Sequence, residues 1–309
     1  MQKPPRIIFF GSSKYVIPII EVLKKNFELP LVITTEHSPN NPLVSYCKKY
    51  KLHYYIVLEF RKQYQEITKR IQNAKSRLGV LASFGAIVPN EVLNLFPHGI
   101  INVHPSLLPK YRGPTPVQTA ILNGDKTTGV TIIKLDEQVD HGPILFQKKE
   151  LIKENDTEES LYERLFKLSA SSIVRTIELY LKGKIEPQEQ NHKQASFTKR
   201  LIKQDGFIDI QSPPSPQILD RMIRAYHPWP SVWTKVQIAT SNKQQLTINK
   251  MPELRSKELA DSSQKLEVRV KFLPDKKIQV EGKKPMSYKD FLNGYGIQGQ
   301  ELLKKLNLY

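Results

Sequence analysis

Asn102 and His104 stand two residues apart at the end of an apolar run, Ile100 to Val103, with Pro105 and Pro109 close behind. Proline fixes φ and removes a donor, so a strand through this run must end there. Side chains two apart on a strand face the same way. Asn102 and His104 therefore project together from a strand tip, where α/β proteins place their chemistry. A second β-prone run, Gly129 to Leu135, leads into an acidic loop, Asp136 to Pro143, that could bring Asp140 to the same place. An Asn supplies an uncharged donor for a developing oxyanion. A His moves a proton or stabilises negative charge, and an Asp orients the His or accepts a proton. No serine or cysteine has an activating context, and Cys47 falls in a helix far along the chain, so a covalent intermediate is not indicated. The set suits direct acyl transfer to an amine. Asn and Asp at such positions also serve turns and caps, and spacing alone leaves both readings open. Asn-x-His with a distant Asp-His lacks the ligand spacing of a metal site, and none is expected.

The elements that must position these residues alternate. Arg6 to Gly11 reads as a buried parallel strand and Tyr15 to Asn26 as a helix. Gly11 stands alone without the G-x-G-x-x-G pattern, so a dinucleotide site is not expected. Strands follow at 31–34 and 54–57, with a helix from Leu43 to Tyr50 between them, opened by Pro42. A polar helix covers 63–73, and a strand at 77–83 exits through Phe84 to Pro89. After the strand carrying Asn102 and His104 come a helix, Pro116 to Asn123, stopped by Gly124, and strands at 128–135 and 144–147. Asn155-Asp156-Thr157 caps a long helix ending at Lys182-Gly183, with Leu161, Leu165 and Leu168 as its stripe. This order predicts an α/β domain over residues 1–187 with a Rossmann-like, mostly parallel sheet. A polar linker that wraps the first domain is expected at 188–204. From 205 to 309, a short helix (220–226) and strands at 231–238, 246–251, 265–272 and 278–280 suggest a small, OB-like β-barrel.

The 309 residues carry a formal charge of +17, and from Gln190 onward there are 21 Lys and Arg against 11 Asp and Glu. A surplus concentrated in the barrel points to a polyanion such as nucleic acid, although a lysine-rich solvated surface would look similar. One cysteine rules out an intrachain disulfide, and no apolar run reaches the roughly 20 residues of a membrane helix. With no signal-peptide pattern, a cytoplasmic protein is expected. No exposed apolar stripe demands a partner copy, so a monomer is expected.

Asn102-Val103-His104-Pro105-Ser106-Leu107-Leu108-Pro109, with Tyr111-Arg112-Gly113, Thr128 to Thr131 and Asp140, resembles the formyltransferases that use 10-formyltetrahydrofolate. Gly113 to Gln118, Phe197 to Leu201, Asp205 to Asp209 and Arg221 to Pro230 resemble the methionyl-tRNA formyltransferases among them, across nearly the whole chain. The resemblance implies catalytic roles for Asn102, His104 and Asp140. It implies a folate site at Ser106, Leu107, Leu108 and Pro109 and at Phe84, Gly85, Ala86 and Ile87. Methionine on initiator tRNA would be the acceptor, held by the barrel. The family's long basic loop after the second strand is replaced here by the lysine-free stretch 35–41, which leaves Lys14, Lys110 and Arg112 as candidate acceptor-stem contacts. Two other functions fit less of the pattern: formylation of a small amine such as an amino-sugar nucleotide, and a non-catalytic RNA-binding relative.

Overall fold

A computed structural model describes residues 3–35, 41–239 and 265–308. The chain divides into two compact units, Met1–Arg200 and Leu201–Tyr309. The first is built on a seven-stranded sheet of order β3-β2-β1-β4-β5-β6-β7. Its strands are β1 (Arg6–Gly11), β2 (Glu28–Thr34), β3 (Tyr54–Ile56), β4 (Leu78–Ala82), β5 (Ile100–His104), β6 (Thr127–Lys134) and β7 (Ile144–Leu151). The pairs from β3 to β5 are parallel, and β5–β6 and β6–β7 are antiparallel. Strand order reverses between β1 and β4, so the chain diverges there at the carboxyl ends of the strands. An open α/β sheet forms its ligand crevice at such a switch point.

Helices α1 (Ile17–Asn26), α2 (Pro42–Lys49), α3 (Phe60–Ala74), α4 (Asn90–Leu93), α5 (Pro116–Asn123) and α6 (Glu158–Leu181) complete this unit. β1 is buried on both faces. Ile8 and Phe10 join Ile33, Ile67, Ile71, Leu81, Phe84 and Ile100 in one core cluster. Side chains on a strand alternate between faces, which sends Ile7 and Phe9, also fully buried, to the opposite one. α6 packs on α1 and on β6 and β7. Thr157 caps α6 by accepting from the Ser160 amide, as the sequence predicts. Its buried stripe takes in Tyr162 and Phe166 beside Leu161 and Leu165, while Leu168 is half-buried.

Residues 188–200, expected to be a linker, pack as part of the first unit. Gln188 bridges to Ile144 and Phe197 to Arg112 in β-like pairing, and Gln190 is buried. The boundary accordingly falls at 200/201, later than the 187 expected for the end of the domain.

In the second unit, α7 (Pro216–Ala225) precedes a four-stranded antiparallel sheet ordered β11-β10-β9-β8. The strands are β8 (Val232–Ala239), β9 (Lys265–Leu273), β10 (Lys277–Val280) and β11 (Met286–Ser287). The strand expected at 246–251, and with it the closure of a barrel, lies outside the described residues. A helix that sequence patterning missed, α8 (Tyr288–Lys305), follows β11 and is capped by the Ser287 side chain on the Asp290 amide. Its Phe291, Leu302 and Leu303 are buried. Among the described residues, no helix is long and apolar enough to cross a membrane.

Candidate active site

β5 ends where the parallel and antiparallel parts of the sheet meet. Asn102 lies between Leu81 of β4 and Ile133 of β6, and His104 opposite Thr131. Both side chains are buried, as is Asp140, which the loop between β6 and β7 delivers to the same point. The carboxylate of Asp140 is the centre of the cluster. Its Oδ1 accepts from Asn102 Nδ2 at 3.0 Å, its Oδ2 accepts from the Gly113 amide at 2.8 Å, and His104 Nδ1 lies 3.4 Å from Oδ2. His104 Nε2 meets the Tyr111 carbonyl oxygen at 2.9 Å. A carbonyl can only accept, so Nε2 carries a hydrogen. A proton on Nδ1 as well makes the imidazolium that the carboxylate faces. The pair is thus arranged to take up one proton and hold it beside a counter-charge.

The loops that present these groups are tightly fixed. Asp140 has a φ of +49°, in the left-handed region. At Gly142 a Cβ would collide with the Lys134 carbonyl oxygen, and at Gly113, φ +105°, it would lie 2.9 Å from Thr198 Oγ1. Gly142 is required by the close approach alone, and Gly113 by both its backbone conformation and the close approach.

The triad opens on a cleft of about 730 Å³ at the switch point. Ser12 and Ser13 follow β1, Thr35 follows β2, and Ser83 to Ile87 follow β4 to form its far wall. Ser12 Oγ ties these strand ends together: it donates to the Phe84 carbonyl at 2.9 Å and accepts from the Thr35 amide at 3.0 Å. Ile87 is 77% exposed and Val139 50% exposed, an apolar lip on the opening. Phe10, in contrast, is fully inside the core.

Of the predicted folate residues, Phe84, Gly85, Ala86 and Ile87 line the cleft. Ser106 to Pro109 do not appear on its wall; Pro105 is the last residue of that stretch to reach it. Ser106 Oγ donates to the Lys110 carbonyl at 2.6 Å, and the Leu108 amide donates to Thr131 Oγ1 at 3.1 Å. The Leu107 side chain lies against Gly129. These residues bind the loop to β6 and β7 and set where Tyr111 and Gly113 fall.

The candidate cations divide as well. Lys14 is half exposed and pairs with Glu159 at 2.6 Å, a hydrogen bond that raises its ammonium above the usual lysine range. Lys110 pairs with Asp125 at 3.3 Å; burial works to lower its ammonium, but Asp125 and Tyr111 outweigh it and leave it raised. Arg112 is corrected from a surface contact to an internal one. It is 3% exposed, and Gln190 Oε1 accepts from its Nε at 3.2 Å and from Nη2 at 2.7 Å. Burial lowers its guanidinium below the usual arginine range.

Two aromatic cleft residues, Tyr162 and Phe166, one turn apart on α6, were not singled out from the sequence, and Arg200, read there only as part of the 197–201 stretch, lines the cleft too. The aromatic pair merges with the apolar stripe of α6 in a one-dimensional reading. Cys47 is buried, which pushes its thiol up to about 11, away from nucleophilic use.

The sequence that builds this seven-stranded α/β sheet, with its Asn-His-Asp cluster at the end of β5, matches the formyl transferase family over residues 7–177 and the formyl transferase C-terminal domain over 200–296. The chain belongs to the formyl transferase family and is a formyl-transferring enzyme. Among its relatives, a methionyl-tRNA formyltransferase from Roseiflexus castenholzii is 32% identical over 96% of this chain and 98% of its own length. Another from Chloroflexus aggregans is 44% identical over 55% of this chain and 54% of its own length. A sugar N-formyltransferase from a Shewanella species shares the fold at a TM-score of 0.59 and 21% identity, covering 74% of this chain and 92% of that one.

Proposed function

We propose that the chain transfers the formyl group of 10-formyltetrahydrofolate to the α-amine of methionine carried by initiator tRNA. The observation that carries the reaction is the convergence of Asn102, His104 and the Gly113 amide on the Asp140 carboxylate, at the floor of a cleft large enough for a donor and an amine. Full-length likeness to relatives named for methionyl-tRNA supports the acceptor.

The cleft fits a formyl-folate. The backbone of residues 84–87 offers peptide groups along one wall, and Ile87 and Val139 offer apolar contact at the rim. The bound folate supplies an activated formyl carbon. Asn102 spends one Nδ2 hydrogen on Asp140 and keeps the other for a developing oxyanion. His104 uses Nε2 on Tyr111, so it supports the oxyanion only through the charge its ring gains once Nδ1 takes up a proton. The His104–Asp140 pair accepts the proton that the attacking amine loses and passes it to the folate nitrogen as the bond between that nitrogen and the formyl carbon breaks, so that the formylated amine and tetrahydrofolate leave. The same pair would place a small amine equally well, so the choice of acceptor rests on the second unit. There Arg269 and Lys203 lie 5.1 and 5.9 Å from the ring of the buried Trp233, two cations held on one residue and suited to a phosphate backbone.

The test is formyl transfer to methionine-charged initiator tRNA, run beside charged elongator tRNA and a panel of amino sugars, with Asp140→Asn as reference. The variant keeps the shape but turns one acceptor into a donor facing donors. Its kcat should fall about 10²- to 10⁴-fold with little change in the folate KM. Turnover of an amino sugar without turnover of tRNA would assign the chain to the sugar branch.

A further inference from the structure

We propose that Gln190 is a positioning residue for Asp140, and that Arg112 holds Gln190 in the one orientation that allows it. The inference rests on Asp140 acting in the reaction. A single buried amide, 5% exposed, meets all four of its hydrogen-bonding requirements here. Gln190 Nε2 donates to the Asp140 carbonyl at 2.9 Å and to the Gly142 carbonyl at 2.8 Å, while its Oε1 accepts from Arg112 Nε and Nη2. An arginine side chain can only donate. Arg112 therefore fixes which end of the amide is oxygen, and the nitrogen must then face the two carbonyls.

The arrangement makes three consecutive residues address the triad in three ways. The Tyr111 carbonyl accepts from His104, the Gly113 amide donates to the Asp140 carboxylate, and Arg112 between them acts through Gln190 on the Asp140 main chain. The Asp140 loop needs this. Its backbone is in the left-handed region at Asp140, and its side chain must meet Asn102, Gly113 and His104 at once. An aspartate free to relax by an ångström would lose that fit, and misplacement on that scale costs about 10²-fold in rate.

Gln190→Glu gives a sharp test. It preserves shape and the bond from Arg112, but sets a carboxylate oxygen against two carbonyl oxygens. At neutral pH its kcat should fall about 10²-fold with the KM for 10-formyltetrahydrofolate nearly unchanged. As pH falls the glutamic acid regains a proton and one donor, so the ratio of variant to wild-type kcat should rise. Rates are taken per folded molecule, from circular-dichroism melts run in parallel. Arg112→Lys, which keeps the charge but loses the fork, should show a smaller loss in the same direction and serves if the glutamate variant folds poorly. A Gln190→Glu enzyme with wild-type kcat, or one whose loss follows its folded fraction and is independent of pH, overturns the proposal. Asp140→Asn separates the two levels. If it retains turnover, the reading of the site is wrong; if it is inactive while Gln190→Glu is not, only the positioning role fails.

Discussion

Glu158 is the first residue of α6, and its environment suits the neutral acid better than the carboxylate. Its Oε1 meets Gln118 Nε2 only at 3.4 Å, and Oε2 has no hydrogen-bond partner among the described residues. Burial, with the charge of Glu159 adding to it, pushes the carboxyl from 4.5 up to about 7, against the opposing pull of Lys14 and Tyr15. A carboxyl raised in this way binds its proton more tightly in the folded chain than in the unfolded one. Its contribution is complete below about pH 4.5 and is lost as pH rises through about 7. At about 1.4 kcal/mol per pH unit, ionisation would cost the folded state roughly 3 kcal/mol, reduced to about 2 kcal/mol by the side chain's remaining contact with water. Glu158→Gln holds a neutral side chain of the same shape at every pH. In urea titrations read by circular dichroism, wild type and variant should agree to within about 0.5 kcal/mol near pH 5. The variant should be more stable by about 2 kcal/mol at pH 8, the difference growing between about pH 4.5 and 7 and levelling off above that. Parallel curves across this range, or a variant less stable than wild type at pH 8, would refute the reasoning.

Arg164→Ala should destabilise the first unit by about 3 kcal/mol in the same titrations, because it leaves Asp156 as a buried charge. Asp156, 4% exposed, is bound by both terminal nitrogens of Arg164, and burial's tendency to raise its carboxyl is outweighed by Arg164, the Lys153 amide and Ser160, which hold it low. That stabilisation is present above the ordinary value of 3.8 and lost as pH falls through the depressed one, so the variant should also lose part of wild type's acid sensitivity. The KM for charged tRNA should rise steeply with salt, by about 10³-fold between 50 and 200 mM if six phosphates are neutralised, while the folate KM should stay within about 2-fold.

The tip of β5 was legible because proline and strand alternation are local constraints: Asn102 and His104 had to share a face and the strand had to stop. Asp140 was legible only as a candidate, since the hairpin of β6 and β7 that carries it back is set by long-range pairing. Arg112 looked like a surface cation because its partner lies far along the chain, in a polar segment with no periodicity. Ser106 to Pro109 show the opposite case. They sit beside Asn102 and His104 in sequence, but hydrogen bonds of Thr131 and Gln147 with the Ser106 and Leu108 main chain tie them to β6 and β7. α8 was missed because Gly294, Gly296 and Gly299 interrupt its pattern, and Gly296 does mark a kink, with non-helical φ and ψ; the Ser287–Asp290 cap was the signal available.

The placement of residues 188–200 and the chemistry at Asp140 are one question. A linker that merely wraps the first unit need not bury a side-chain amide in the Asp140 loop, yet Gln190 does so, and its neighbours close the same wall. The Ser196 carbonyl accepts from the Arg112 amide, the Thr198 amide donates to the Arg112 carbonyl, and Thr198 Oγ1 accepts from the Thr115 amide. Gly113, whose amide holds Asp140, is pinned between Arg112 and Thr115 by these bonds. Low sequence regularity in this segment therefore does not mean low structural demand. Its residues are ordered by side-chain and main-chain contacts to the 111–115 loop and to the Asp140 loop rather than by any helical or strand period. A period search reads only the second kind of order, which is why this part of the site could not be read from the sequence.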